Sequence, residues 1–361
     1  MTDARTRFWP RTALLGALAV IGAVHPGCSC SDEPATSTSG TGTTTTTPTT
    51  TGGGMGGMSG VGGAGGGGGA GGGSAAYAIS QAAAAFAFDV TPGPEGTHLY
   101  FTGMSGPGEM GVFKVAVNST DVDPVAVGAP FVAPFGIATS ADGVQLFITD
   151  LGVDDPAAGT DAGRIFAVNT SNGTVLPVSG SDGALPRGIE VFKDAQGAEK
   201  IVFTGIATGD GQPGVFELPT TGGTKTVIAK GSPFVDPSGV AVAPTGEVYV
   251  CDTLANADKS ATVFVVEDGI VNEVVTGISA GYPCGIALSR DGTRLLVAGK
   301  GATTGKDEVR VIDVASKSAT TLTELIELHD EPAGMHRAKN TDVFAFADSG
   351  AQGEGLLFLI K

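Results

Sequence analysis

The feature that most constrains this chain is a segment that returns about every 50 residues. Its clearest copy, PFGIATSADGVQLFITD, runs from Pro134 to Asp150. It reads as two short strands joined by a tight turn: a small apolar run over 136–140, the turn pair Asp142-Gly143, and a β-branched, aromatic run over 144–149. Related segments start at Phe86, Pro186, Pro237, Pro283 and Pro332, which makes six copies. The glycine after Pro-x falls at 136, 188, 239, 285 and 334, in steps of 52, 51, 46 and 49, and Phe88 stands 48 residues before the first of these.

Each copy is followed by further strand candidates. After the second copy they are 164–169 and 174–178, joined through Asn172-Gly173, a strong hairpin signal. Others lie at 112–117, 215–218, 262–266 and 309–314, and no amphipathic helix pattern of useful length intervenes. Four short strands per repeat of roughly 40–50 residues is the period of propeller blades. The expected fold is therefore all-β, a six-bladed propeller of four-stranded blades over residues 76–361. The last copy ends after 356–360, one strand short, while an orphan apolar segment, 75–80, precedes the first. An N-terminal strand that completes the sixth blade would close the ring and hide an open edge.

Two segments precede the ring. Arg5, Arg7 and Arg11 form a basic region before a twelve-residue apolar run, 13–24. That run suits a signal-peptide core and is too short for a membrane span. It ends in His25-Pro26-Gly27-Cys28, which resembles the lipobox of bacterial lipoproteins, although the family prefers other residues where His25 and Pro26 stand. The resemblance implies a signal peptide over 1–27, lipidation at Cys28, and an exported protein held to the bacterial envelope, at the outer membrane or cell surface. Residues 31–75 are almost entirely Ser, Thr, Gly and Ala. They cannot bury enough apolar surface to offset their chain entropy and read as a disordered linker. As a flexible coil of about 45 residues, such a linker holds its ends roughly 35–40 Å apart. A net charge of −17 argues against a nucleic-acid partner. The membrane is met through the lipid only, and a monomer is expected.

The repeats resemble the six-bladed propellers of the NHL and SMP-30/gluconolactonase type, and the SADG and SRDG turns resemble those of YVTN and lactonase-type propellers. The enzymes of the SMP-30 type hold a divalent metal at the channel mouth. Their ligands include a Glu opening the first blade and an Asn or Asp as the middle residue of Pro-x-Gly. Here those middle residues are Phe135, Arg187, Ser238, Cys284 and Ala333, and the first-blade counterpart is Ala87-Phe88-Asp89. Hard cations need several oxygen ligands, and these positions supply at most Asp89 and Ser238. No cofactor is expected beyond a loosely held Ca²⁺. Its weak candidates are Asp150, Asp252 and Asp348, which end the second strands of alternate blades, although Asp in such places commonly shapes its own loop.

The loop face, where the inner strands begin and the second strands end, is the expected binding surface. Its candidates include Asp154, Asp155 and Asp161 after Asp150, Asp258 after Asp252, Arg187, and His329 ahead of the sixth blade. In the inner-strand column that holds Ala138, Ala241 and Ala287, two polar residues stand out, Glu190 and His336. A His and a Glu in a channel can form an acid–base pair, but opposite blades imply two separate, hydrated residues. Cys251 and Cys284 lie toward one face on neighbouring blades, which makes a disulfide reasonable outside the cytoplasm, with two buried thiols as the alternative. No nucleophile elbow or His-rich metal spacing occurs, so a non-catalytic binding module for a protein or small-molecule ligand is the leading expectation. The alternative is a lactonase-like hydrolase with a relocated metal site. The anchor reading predicts fatty-acid labelling of the full chain in a lipoprotein-processing host and its loss in Cys28→Ala; labelling that survives the substitution contradicts it.

Overall fold

A computed structural model describes residues 77–361 apart from 105–107, 153, 156–159, 162, 301–306, 323–331 and 351–354. Cys28 and His329 lie outside the described residues. Six four-stranded antiparallel sheets form the six blades of a propeller, and no helix occurs among the described residues. The inner strands are Ala87–Pro92, Pro134–Thr139, Ile189–Lys193, Pro237–Val242, Ile286–Leu288 and Pro332–Arg337. In blades one to five the chain moves outward strand by strand.

The recurring turn has a clear local cause. In SADG the Asp142 carboxylate accepts the Ser140 hydroxyl at 2.7 Å and the Val144 amide at 3.0 Å. Gly143 then adopts φ of 73°, a region that costs other residues strain. SRDG repeats the device: Asp291 accepts Ser289 Oγ and both the amide and hydroxyl of Thr293. Those bonds hold the Asp291 carboxyl down to about 2.

Apolar packing lies between blades. The six buried clusters each join one blade to the next. One combines Tyr100 and Val112 with Phe131, Ile137, Leu146, Ile148, Phe166 and Val168. Another combines Cys251, Val263 and Ile278 with Cys284, Ile286, Leu295 and Val297. The apolar core of each blade is therefore shared with its neighbours, so closing the ring completes the packing of the first and last blades.

At the axis, neighbouring inner strands approach backbone to backbone. A Cβ added to Gly136, Gly188 or Gly239 would stand 2.3, 2.1 and 2.1 Å from the carbonyl oxygens of Arg187, Ser238 and Cys284 in the next blade. No other residue fits at these three positions, which accounts for the glycine of Pro-x-Gly in blades two, three and four. Side chains of the second strands tie the same seams. Thr149 Oγ1 accepts the Gly136 amide at 2.7 Å and donates to the Arg187 carbonyl at 2.7 Å. Thr102 Oγ1 donates to the Phe135 carbonyl. Cys251 occupies the corresponding place in the fourth blade, and the chain there makes a covalent tie instead, the Cys251–Cys284 disulfide with a Cα–Cα distance of 5.9 Å. The open choice between disulfide and free thiols resolves to the disulfide.

The sixth sheet runs outward as Pro332–Arg337, Phe344–Asp348, Leu356–Ile360 and then Ile79–Ala84. The N-terminal strand pairs antiparallel with the last one, from Ile79↔Ile360 to Ala84↔Leu356, with an irregularity between Gln81 and Ala83. It lies slightly later in the chain than the orphan segment 75–80 suggested. It covers LLFLI, all five residues of which are buried, and whose bare edge would otherwise invite pairing with another chain. Removal of residues 1–84 is expected to abolish cooperative thermal unfolding or to send the protein into aggregates, whereas removal of 1–74 leaves the melting temperature unchanged. Equal melting temperatures for the two truncations would show that the strand does not close the ring.

Candidate functional site

The two ends of the channel differ. Pairings such as Pro134↔Asp150 and Pro332↔Asp348 mark the loop face, and Thr139↔Leu146 and Arg337↔Phe344 mark the turn face. At the loop-face mouth Phe135 of blade two meets Tyr282 of blade five across the axis, with ring centroids 5.1 Å apart and Phe88 at 6.5 Å from Phe135. The Arg187 guanidinium lies 5.6 Å from the Tyr282 ring and pairs with Asp236. Below this aromatic plug, Asp89, Ser238, Cys284, Gly334 and His336 line a cavity with room for about one water molecule.

The floor of that cavity is a line of charges across the bore. His336 Nε2 is 3.2 Å from Asp89 Oδ2, and His336 Nδ1 is 3.4 Å from Glu190 Oε2. Lys339, on the turn after the inner strand, pairs with the other Glu190 oxygen and donates to the Val191 carbonyl at 2.7 Å. Opposite blades do not keep Glu190 and His336 apart. The expectation of two separate, hydrated residues is corrected, because a long histidine and a long glutamate span the narrow axis that the alanine column leaves. Arg337 is directed elsewhere: Nε donates to the Leu288 carbonyl at 2.8 Å, and Nη1 to the Ala338 and Thr341 carbonyls.

Asp89 comes from a one-residue shift in the first copy. Its pairing with Thr102 corresponds to that of Gly239 with Cys251, so Asp89, and not Phe88, stands in the glycine column. Its carboxylate accepts the Ile137 amide of blade two at 2.9 Å and its neighbour Val90 at 2.8 Å. Space for it exists because blade six has glycine opposite: a Cβ on Gly334 would stand 1.9 Å from Asp89 Oδ1. The lone carboxylate in a column of glycines was the signal available in the sequence, and the ring register was needed to see it. Lys339 carried no such signal.

Burial alone would push the His336 imidazole down, but Asp89 and Glu190 outweigh it and raise it to about 9. Burial likewise opposes ionisation of Glu190, yet Lys339 and His336 lower it to about 2. An imidazole that faces carboxylate oxygens with both nitrogens donates from both, so it is the protonated form. Such a histidine is a poor general base.

Among the described side chains, Asp150, Asp252 and Asp258 each engage backbone or side-chain groups of their own neighbourhood. Asp150 accepts the amides of Val132, Ala133 and Gly152, and Asp252 those of Val235, Asp236 and Leu254. Burial raises both carboxyls, and these amides pull against the rise. Asp348 accepts the Gly350 amide. Each acid shapes its own loop, and no group of three or more ligating side chains that could hold a metal occurs among the described residues. Asp154–Asp155 pairs with Thr160–Asp161 in a two-stranded ladder within the long loop. Asp258 is exposed and turns back on Ser260. The metal that the SMP-30 resemblance implies does not fit its positions, where Phe135, Ala333, the disulfide sulfur of Cys284 and the cation of Arg187 stand. Ser238 Oγ already accepts the Cys284 amide and shares a bond with Thr253.

No protein-family model and no curated protein matches the chain. Among solved structures, a gluconolactonase from Xanthomonas campestris is similar over 78% of this chain and 87% of that one, with 17% identity and a TM-score of 0.53. TolB from Acinetobacter baumannii is similar over 69% of this chain and 55% of that one, with 12% identity and a TM-score of 0.49. An oligogalacturonate lyase in complex with manganese covers 78% and 90%, with 12% identity and a TM-score of 0.48. At these identities the likeness is one of fold.

The bore charges carry a pH signature. His336 has a folded-state value above its ordinary 6.5, so its contribution is full below pH 6.5 and is lost as pH rises through about 9. Glu190 lies below its ordinary 4.5, so its contribution is full above that value and is lost progressively as pH falls from there through about 2. The expected result is a fall of about 3 kcal/mol in stability between pH 6.5 and 9, absent from His336→Gln. Denaturant unfolding across that range measures it, and identical slopes in both proteins would contradict the assignment.

Proposed function

We propose that the chain is an exported, lipid-anchored propeller that acts as a non-catalytic binding module, engaging a protein partner through its loop face. The observation that carries this reading is the state of the channel. Its mouth is plugged by Phe135 and Tyr282, and its bore is occupied by mutually paired charges. Enzymes and small-molecule binders of this shape need an open concave site with convergent, free polar groups.

The loop face offers a different surface. The PFV sequences at 130–132 and 233–235 are built alike: Phe131 and Phe234 turn inward and meet Phe166 and Phe264 edge-on, both at 5.7 Å. Val132 and Val235 are left outward, 55% and 52% exposed, and Leu254 beside Asp252 is 41% exposed. The amides bonded to Asp150 and Asp252 hold these loops rigidly, and rigid apolar display suits protein recognition.

The first described strand enters the ring at the turn face. Ile79 pairs with Ile360, which pairs with Phe344 at the turn face. Ile79 thus stands at the turn-face end of the sixth blade, opposite the loop face.

The test is photo-crosslinking in envelope preparations from a crosslinkable residue at position 235, with position 245 on the turn face as control. A protein adduct specific to position 235 and lost in Val132→Asp supports the reading; equal adducts from both faces contradict it. In parallel, sugar lactones with Ca²⁺, Zn²⁺ or Mn²⁺ are expected to turn over no faster than in buffer. Metal-dependent hydrolysis by the purified domain would replace the proposal with an enzymatic one.

A further inference from the structure

We propose that His336 and Lys339 are resident cations of the channel, which tie blades one, three and six together from within and leave the bore unable to take a divalent metal. The donor set at the axis is fully committed, independently of any binding role of the loops. Two carboxylates reach the axis among the described residues, Asp89 and Glu190, and all four of their oxygens are engaged. Asp89 Oδ1 takes the Val90 amide, and Oδ2 takes His336 and the Ile137 amide. Glu190 Oε1 takes Lys339 and the Val191 amide, and Oε2 takes His336.

The charges cancel: two carboxylates face one imidazolium and one ammonium. A divalent ion added here would have to displace a cation that is covalently part of the ring, or leave excess positive charge in a site shielded from water. Either is costly in a low-dielectric interior. Removing one resident cation is costly for the mirror reason, since it strands a buried carboxylate.

The geometry also says what the tie holds. Asp89 links blade one to blade two through the Ile137 amide and to blade six through His336. Glu190 then carries the link across the axis to blade three. The first blade and the last are thereby joined at the inner end of the same seam that the N-terminal strand helps close at its outer end. In this respect the bore charges serve the ring, and they are already committed when any ligand arrives at the mouth.

Thermal unfolding of the full chain tests the proposal. Addition of EDTA, or of millimolar Ca²⁺ or Mn²⁺, is expected to move the wild-type midpoint by no more than about 1 °C, whereas His336→Gln lowers it by roughly 6–20 °C. Adding Asp89→Asn to His336→Gln is expected to recover part of that loss, because the stranded carboxylate goes with its cation. Lys339→Met, at the turn-face end, provides a second variant that loses stability if His336→Gln fails to fold, and Glu190→Gln is expected to relieve it. Wild-type stabilisation by a divalent ion, or losses that simply add in the double variants, would overturn the proposal. Both outcomes are separate from lactone turnover and from crosslinking at the loop face.

Discussion

The inner strands of adjacent blades touch backbone to backbone, and the rest of the ring depends on that contact. It is possible because glycine stands at 136, 188 and 239, where a Cβ would collide with the next blade's carbonyl. Once the inner strands are this close, the second strands are placed to tie them, through threonine in two blades and through a disulfide in the fourth. The six apolar clusters fill the wedges between blades behind this inner ring. Blade packing, seam chemistry and channel width therefore follow from one steric condition at the axis.

A narrow axis also decides what the channel can contain. With alanine at 138, 241 and 287, only a few long side chains reach the centre, and two on opposite blades are enough to meet. His336 and Glu190 do so, and Asp89 joins them because blade six has no Cβ at Gly334 to exclude it. A buried ion pair is weak grounds for stability by itself, since desolvation offsets much of the attraction. A line of four groups with every carboxylate oxygen engaged is a better-compensated arrangement. It leaves the mouth to aromatic packing and the outward surface to the loops.

The repeat made the architecture legible: spacing, turn pairs and the missing outer strand together read as six blades and a closing N-terminal strand. Glu190 and His336 were legible as exceptions in an alanine column. Their contact was not, because sequence separation carries no information on the diameter of a ring. Asp89 was misplaced by one residue, since the first copy lacks the Pro-x-Gly marker and a strand irregularity between Ala87 and Asp89 hides the register. Lys339 sits in an ordinary-looking turn, and nothing in its neighbours sets it apart. Asp150 and Asp252, weak candidates for a loose cation site, are engaged by backbone amides of the loops on either side of their strands, the loop-shaping role that Asp commonly takes in such places.

His336 is placed between two carboxylates, with one ring nitrogen facing each, an arrangement that calls for an imidazolium at neutral pH. The most direct measurement is the ¹⁵N spectrum of the His336 imidazole in the intact protein. Both ring nitrogens are predicted to carry protons at neutral pH, with the transition to the neutral ring displaced to about pH 9. A single neutral tautomer at pH 7, or titration near the ordinary histidine value of about 6.5, would contradict it.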